Sequence, residues 1–126
     1  MRDSSSLSEA ARTIVRAVNA GDAELYGSVF AEHAIVQLYG GPVRMTGRRA
    51  VEENRRHHFA LYPQIRCEIQ HLAEIGNVVI MHDRVWLTPE TRTPGDVVEI
   101  FTFDEGGLIA KVEVIQPRNL LATGEK

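Results

Sequence analysis

Apolar residues recur at Ala11, Ile14, Val15 and Val18, the i, i+3, i+4, i+7 spacing of one helix face. Ser6-Leu7-Ser8-Glu9 has the form of a capping box, in which Ser6 accepts from the third helical N–H and Glu9 reaches back. Asn19-Ala20-Gly21-Asp22 closes this helix with a C′ glycine and opens a second with an aspartate cap. The second helix is predicted to run to Ala31, apolar at Leu25, Tyr26, Val29 and Phe30. Residues 34–39 read as a strand, Gly40-Gly41-Pro42 as a turn, and Val43 and Met45 as a short second strand. Thr46 is placed to cap a third helix over 47–61, which Tyr62-Pro63 ends.

From Gln64 onward the period changes from helical to two. Ile65, Cys67 and Ile69 share one parity and Leu72 the other, which calls for a bulge near Gln70-His71. Gly76-Asn77 is a hairpin turn, followed by strands at about 78–88, 96–104 and 108–116, with Asp104-Glu105-Gly106-Gly107 turning between the last two. The order is α-α-β-β-α-β-β-β-β. Helices first and a run of strands last is an α+β arrangement: a curved antiparallel sheet forming a cone closed by the N-terminal helices. One domain spans 1–126, with an ordered core of about 6–117 and a loose tail after Pro117.

Candidate chemistry concentrates in residues 80–103. Alternation puts Ile80, His82, Arg84 and Trp86 on one face of a strand. A hairpin with 84 opposite 99 sets Val97, Glu99 and Phe101 beside that stripe, so an imidazole, a guanidinium, a carboxylate and an indole share one patch. Glu99 lies in a strand apolar on both faces, where a carboxylate needs a partner, and Arg84 is the candidate. The pair reads either as a structural cross-strand ion pair or as a functional acid with its orienting cation. His82, with an unperturbed pKa near neutrality, suits proton transfer. Alternation alone assigns the core face instead to Val79, Met81, Val85 and Leu87, interrupted by Asp83.

Composition narrows the function classes. Hydrophobic residues make up 44% and charged residues 25%, as in an ordinary globular domain, and the net charge of −3 argues against a general nucleic-acid or anionic-membrane partner. The basic run from Arg48 to His58 is balanced by Glu52 and Glu53 and reads as a solvated helix face. With one cysteine, Cys67, no intrachain disulfide or thiolate metal cluster can form. The histidines are scattered, and His57 and His58 point about 100° apart on a helix, so no metal site is expected. Met1-Arg2-Asp3-Ser4-Ser5-Ser6 has no apolar h-region and no apolar run approaches the ~20 residues that span a bilayer, so a cytoplasmic protein is expected. No phosphate-binding glycine loop and no nucleophile elbow occurs.

The element order, with Val18-Asn19-Ala20-Gly21-Asp22 and Val29-Phe30-Ala31-Glu32-His33-Ala34, resembles the nuclear-transport-factor-2-like superfamily and its SnoaL-like polyketide cyclase, ketosteroid isomerase and limonene-epoxide hydrolase branches. The resemblance covers about 8–117 and implies a cone-shaped cavity. Ketosteroid isomerases place a tyrosine where this chain has Ile14, their catalytic base on Leu38 and a second oxyanion-hole acid on Glu99, which keeps its carboxyl. The hydrolases' Arg-x-Asp matches at Arg84 but meets Trp86 at the first acid and Val114 at the second. The family's own acids are thus largely absent, and a different polar set is expected in the pocket.

The resemblance implies that the 80/82/84/86 parity lines the concavity. His82, Arg84 and Glu99 are then the catalytic candidates, and Ile14, Leu38, Trp86, Phe101 and Val114 the substrate-binding ones, joined by His58, on the third helix's apolar stripe of Val51, Phe59 and Tyr62, and by Gln116, in parity with Val112 and Val114. The expected ligand is a small, mostly apolar metabolite, transformed without cofactor by acid/base isomerisation, cyclisation or epoxide opening; the alternative is a non-catalytic binding or scaffold module. The apolar odd face of Met81, Val85 and Leu87 would then be convex and covered by a second copy, giving a homodimer.

Overall fold

Among the described residues nine elements form in the order that the patterning indicates: α1 (Ser5–Ala20), α2 (Ala23–Gly27), β1 (Phe30–Leu38), β2 (Val43–Thr46), α3 (Arg48–Leu61), β3 (Arg66–Ile75), β4 (Val78–Trp86), β5 (Gly95–Phe103) and β6 (Ile109–Ile115). The computed structural model describes residues 5–117, with side chains from Leu7 onward, so the capping contact expected of the Ser6 side chain and the tail after Pro117 lie outside what is described. The six strands make one curved sheet in the order β2-β1-β6-β5-β4-β3. Four of the five strand pairings are antiparallel, but β1 and β6 run parallel, Val36 beside Val112 and Leu38 beside Val114. The expectation of a wholly antiparallel sheet is corrected there. These two strands come from opposite ends of the chain, and neither one's side-chain alternation encodes the direction of its partner.

Local chemistry sets the joints. α1 ends in a Schellman motif: Gly21 takes φ 65°, its N–H donates to the Val18 carbonyl (3.1 Å), and the Asp22 N–H donates to the Ala17 carbonyl (2.9 Å). The Asp22 carboxylate then accepts from the Leu25 N–H at 2.9 Å and starts α2. α2 stops at Gly27, short of the expected Ala31, because Phe30 is already paired with Ile109 in the sheet. Thr46 does not cap α3: it is a β2 residue opposite Ile35, and Gly47, at φ 100°, stands at the helix start without a side-chain cap. The bulge falls between Ile69 and His71 and brings Leu72 onto the face of Ile69.

α1 lies across the concave face, its Ile14 packed with Val79, Met81, Phe101 and Val112 in the main core. Asn19 ties the end of α1 to β3: its side-chain N–H donates to the Cys67 carbonyl (3.0 Å) and its oxygen accepts from the Cys67 N–H (2.8 Å). Asn19→Ala should therefore lower stability by about 1–2 kcal/mol, read as a drop in urea midpoint without a change of slope; an unchanged midpoint would show that the tie is dispensable.

Candidate functional site

A cavity of about 320 Å³ lies between the concave sheet face and the three helices. Ile14 and Val18 of α1, Val51 of α3, and Val97, Val112 and Val114 of the sheet supply apolar wall. Tyr26 of α2 stacks on Phe30 of β1 with ring centroids 5.6 Å apart, and both rings face the cavity.

The face of β4 turned to this cavity is the odd one. Asp83 and Val85, followed by Leu87, line it, while Val79 and Met81 are fully buried beneath α1. His82, Arg84 and Trp86 stand on the convex face, so their assignment to the pocket is corrected. The register explains why: Arg84 lies opposite Asp96, not Glu99, and Glu99 lies opposite Met81. On the convex face Asp96 accepts from Arg84 Nε (3.1 Å) and contacts His82 Nε2 (2.8 Å), the His82 ring stacks on His71 at 5.4 Å, and Arg66 covers the Trp86 ring at 4.3 Å. These contacts pull the Asp96 carboxyl below the usual carboxylate range, the bond to His82 most. The same register corrects the expected convex interface of Met81, Val85 and Leu87: the side chains that face outward there include Ile75, Ile80 and Ile115.

On β5 the expected parity is the one adopted. Val97 and Glu99 line the cavity, and Phe101 is fully buried in the core beneath it rather than in the wall. Of the other candidates, Ile14, Leu38, His58, Val114 and Gln116 line the cavity. The cavity is also lined by polar residues that were not among the candidates: Tyr26, Gln37, Arg44, Asn54, Arg55, Cys67 and Asp83. Asp83 had one available signal, a carboxylate interrupting an otherwise apolar parity.

Asp83 and Glu99 are diagonal neighbours on adjacent strands, because Asp83 pairs with Val97 and Glu99 sits two residues further on. Such diagonals stand roughly 7–8 Å apart between backbones, close enough for longer side chains to interact. Neither carboxyl forms an ion pair with a described cation, and Asp83 is 5% exposed, with Oδ1 lacking any hydrogen-bond partner. Burial raises Glu99 to about 8, helped by the charge of Asp83 and opposed by that of Arg55. Burial also raises Asp83 to about 7, against its backbone hydrogen bond, the charge of His82 and a bond with the Cys67 thiol. The thiol and the Tyr26 hydroxyl are both pushed upward by burial, so both keep their protons at neutrality. His58 is pushed down to about 4, first by burial and then by Arg55 and His57; it is neutral, tilted over Tyr62 at 5.0 Å, and its buried Nδ1 has no partner.

The cavity therefore presents proton donors of different acidity on an apolar wall. Among the described residues no group of three or more His, Cys, Asp or Glu side chains is placed to hold a metal ion, and no helix is long and apolar enough to cross a membrane.

Comparison with known proteins bears on the same region. The family model of the SnoaL-like domain matches residues 11–112. An uncharacterised cystatin-fold protein from Novosphingobium aromaticivorans is 30% identical, with a TM-score of 0.77 over 87% of this chain and 97% of its own. An NTF-2 like protein of unknown function from Burkholderia xenovorans is 22% identical (TM-score 0.73, 89% of this chain, 83% of its own). A SnoaL-like protein of unknown function from Burkholderia thailandensis is 18% identical (TM-score 0.76, 90% and 95%). No curated protein matches the chain.

Proposed function

Since this chain belongs to the SnoaL-like domain family, we propose that its cavity binds a small, largely apolar, oxygen-bearing organic molecule and rearranges it by cofactor-free acid/base chemistry. The observation that carries this reading is the pair Asp83 and Glu99, two carboxyls raised into the neutral range inside an apolar cavity. Paired acids tuned towards the working pH are what proton shuttling needs.

In the proposed step Asp83, as carboxylate, takes a proton from carbon beside a carbonyl or from an attacking hydroxyl. Glu99, still protonated, donates to the oxygen on which charge develops. The Tyr26 hydroxyl adds a second donor to that oxygen. Isomerisation, cyclisation and epoxide opening all fit this division of labour. His82 has no part in it.

A non-catalytic binding module is the second reading, favoured by the depth of Asp83 in the wall. One comparison separates the two. A panel of cyclic enones, epoxides and β-keto esters is screened for binding by thermal shift and for turnover by product analysis. Turnover of any member that is lost in Asp83→Asn supports the enzyme. Binding throughout the panel without turnover supports the module. Val114→Trp, which fills the cavity, should abolish both; binding that survives it would place the ligand elsewhere.

A further inference from the structure

We propose that the molecule bound in this cavity carries a carboxylate, seated on the guanidinium of Arg55. The inference rests on the reading of the cavity as a small-molecule site and adds the chemical class of the ligand.

Arg55 lines the cavity from α3 and is half-buried. Its guanidinium lies over the Tyr26 ring at 5.4 Å and near the Phe59 ring at 5.8 Å. The Asn54 side-chain oxygen accepts from its Nε (3.3 Å) and Nη2 (2.9 Å). Two of its five donors are thus occupied by a neutral group and its plane is held by two aromatic faces.

No ion pair joins Arg55 to a described carboxylate, although the neighbouring Arg48 on the same helix is paired with Glu52 at 3.5 Å. A cation facing an apolar cavity without a counter-charge is costly unless a ligand supplies one. Glu99, the cavity acid that feels the charge of Arg55, makes no ion pair with it, and burial favours the neutral form of its carboxyl. A planar guanidinium already fixed in place matches a carboxylate in a bidentate fork and loses little further freedom on binding it.

The protonated Glu99 and the Tyr26 hydroxyl add donors and no competing negative charge. At about 320 Å³ the cavity is at the small end of ligand sites, which suits a one- or two-ring acid. An acid held at Arg55 would present its ring system to the valine wall and its reacting carbon to Asp83 and Glu99.

The test uses a matched pair of fluorescent probes at pH 6.5, 2-naphthoate and 2-naphthalenemethanol, titrated into the full chain. Naphthoate binding at least about 10-fold tighter than the alcohol is expected. Arg55→Met should remove that preference and leave alcohol binding within about 3-fold. Arg55→Lys, which keeps the charge but loses the fork, should retain part of it, so the result does not hang on one variant's folding. Equal affinities in the unaltered protein, with both probes lost in Val114→Trp, would overturn the carboxylate proposal while leaving the cavity reading intact. Absence of binding by both probes would overturn the proposal together with that reading.

Discussion

Glu99→Gln should lower turnover of the true substrate by about 10²–10⁴-fold, the range expected for loss of one general acid. The substitution keeps the size and a hydrogen-bond donor, and it removes the only proton that Glu99 can transfer. Binding of a neutral ligand should change little, so the loss falls on kcat more than on KM. Asp83→Asn should produce a loss of similar size. The pH profile carries a further signature. With a base at about 7 and an acid at about 8, kcat/KM should peak between them and fall on either side. The two limbs belong to the pair as a unit, because the acids interact. In Glu99→Gln the alkaline limb should vanish. Full activity in that variant would remove Glu99 from the mechanism, and a profile governed by a group titrating near 6.5 would return attention to a histidine.

The helices and strands were legible because their signals are local. The Gly21-Asp22 joint, the Gly76-Asn77 hairpin and the parity break at Gln70 each depend on a few adjacent residues, and each appears in the structure where the residues place it. The extent of α2 was less legible, because pairing of Phe30 with Ile109 overrides the helical preference of the segment that follows Gly27. The parallel pairing of β1 with β6 has no local signal at all.

The site was half legible for a related reason. The β5 parity could be read from Val97 and Glu99, and α1 and α3 contributed Ile14 and His58 from their apolar stripes. The β4 parity went the other way. Plain alternation marked Val79, Met81 and Val85 as the buried face, and the family resemblance, which put the concentration of charged and aromatic side chains on the even face into the concavity, outweighed it. That concentration has another cause, since Arg84 and His82 share Asp96 across the outer surface. The 84-to-99 register could not be checked from sequence, because the eight-residue connection between β4 and β5 fixes no turn type, and the observed register differs by three residues. Asp83 was hidden by its scarcity: one acid on an apolar face reads as an imperfection of the pattern until the facing strand brings Glu99 to it. Arg55 was hidden among the charges of α3, and only the packing of that helix against Tyr26 separates it from its solvated neighbours.

Stability itself should fall as the pH rises from 6 to 9. In the unfolded chain Asp83 and Glu99 ionise near 4, whereas in the folded chain they hold their protons to about 7 and about 8. The folded state therefore binds more protons across that interval, and the stabilisation present below pH 4 is lost as the pH climbs through the folded values. His58 acts in the opposite sense. Its folded value near 4 lies below the unfolded 6.5, so its contribution is regained on raising the pH through that range and is complete above about 7. From pH 6 to 9 the two acids outweigh it, with an expected net loss on the order of 3 kcal/mol. Urea denaturation at pH 6, 7.5 and 9 measures this directly. Glu99→Gln should remove more than half of the slope and raise the stability at pH 9, because a neutral amide carries no charging cost in the cavity. A level profile in the unaltered protein would mean that the two acids are ionised and solvated at neutrality, and the acid pair would then lose its claim to proton transfer.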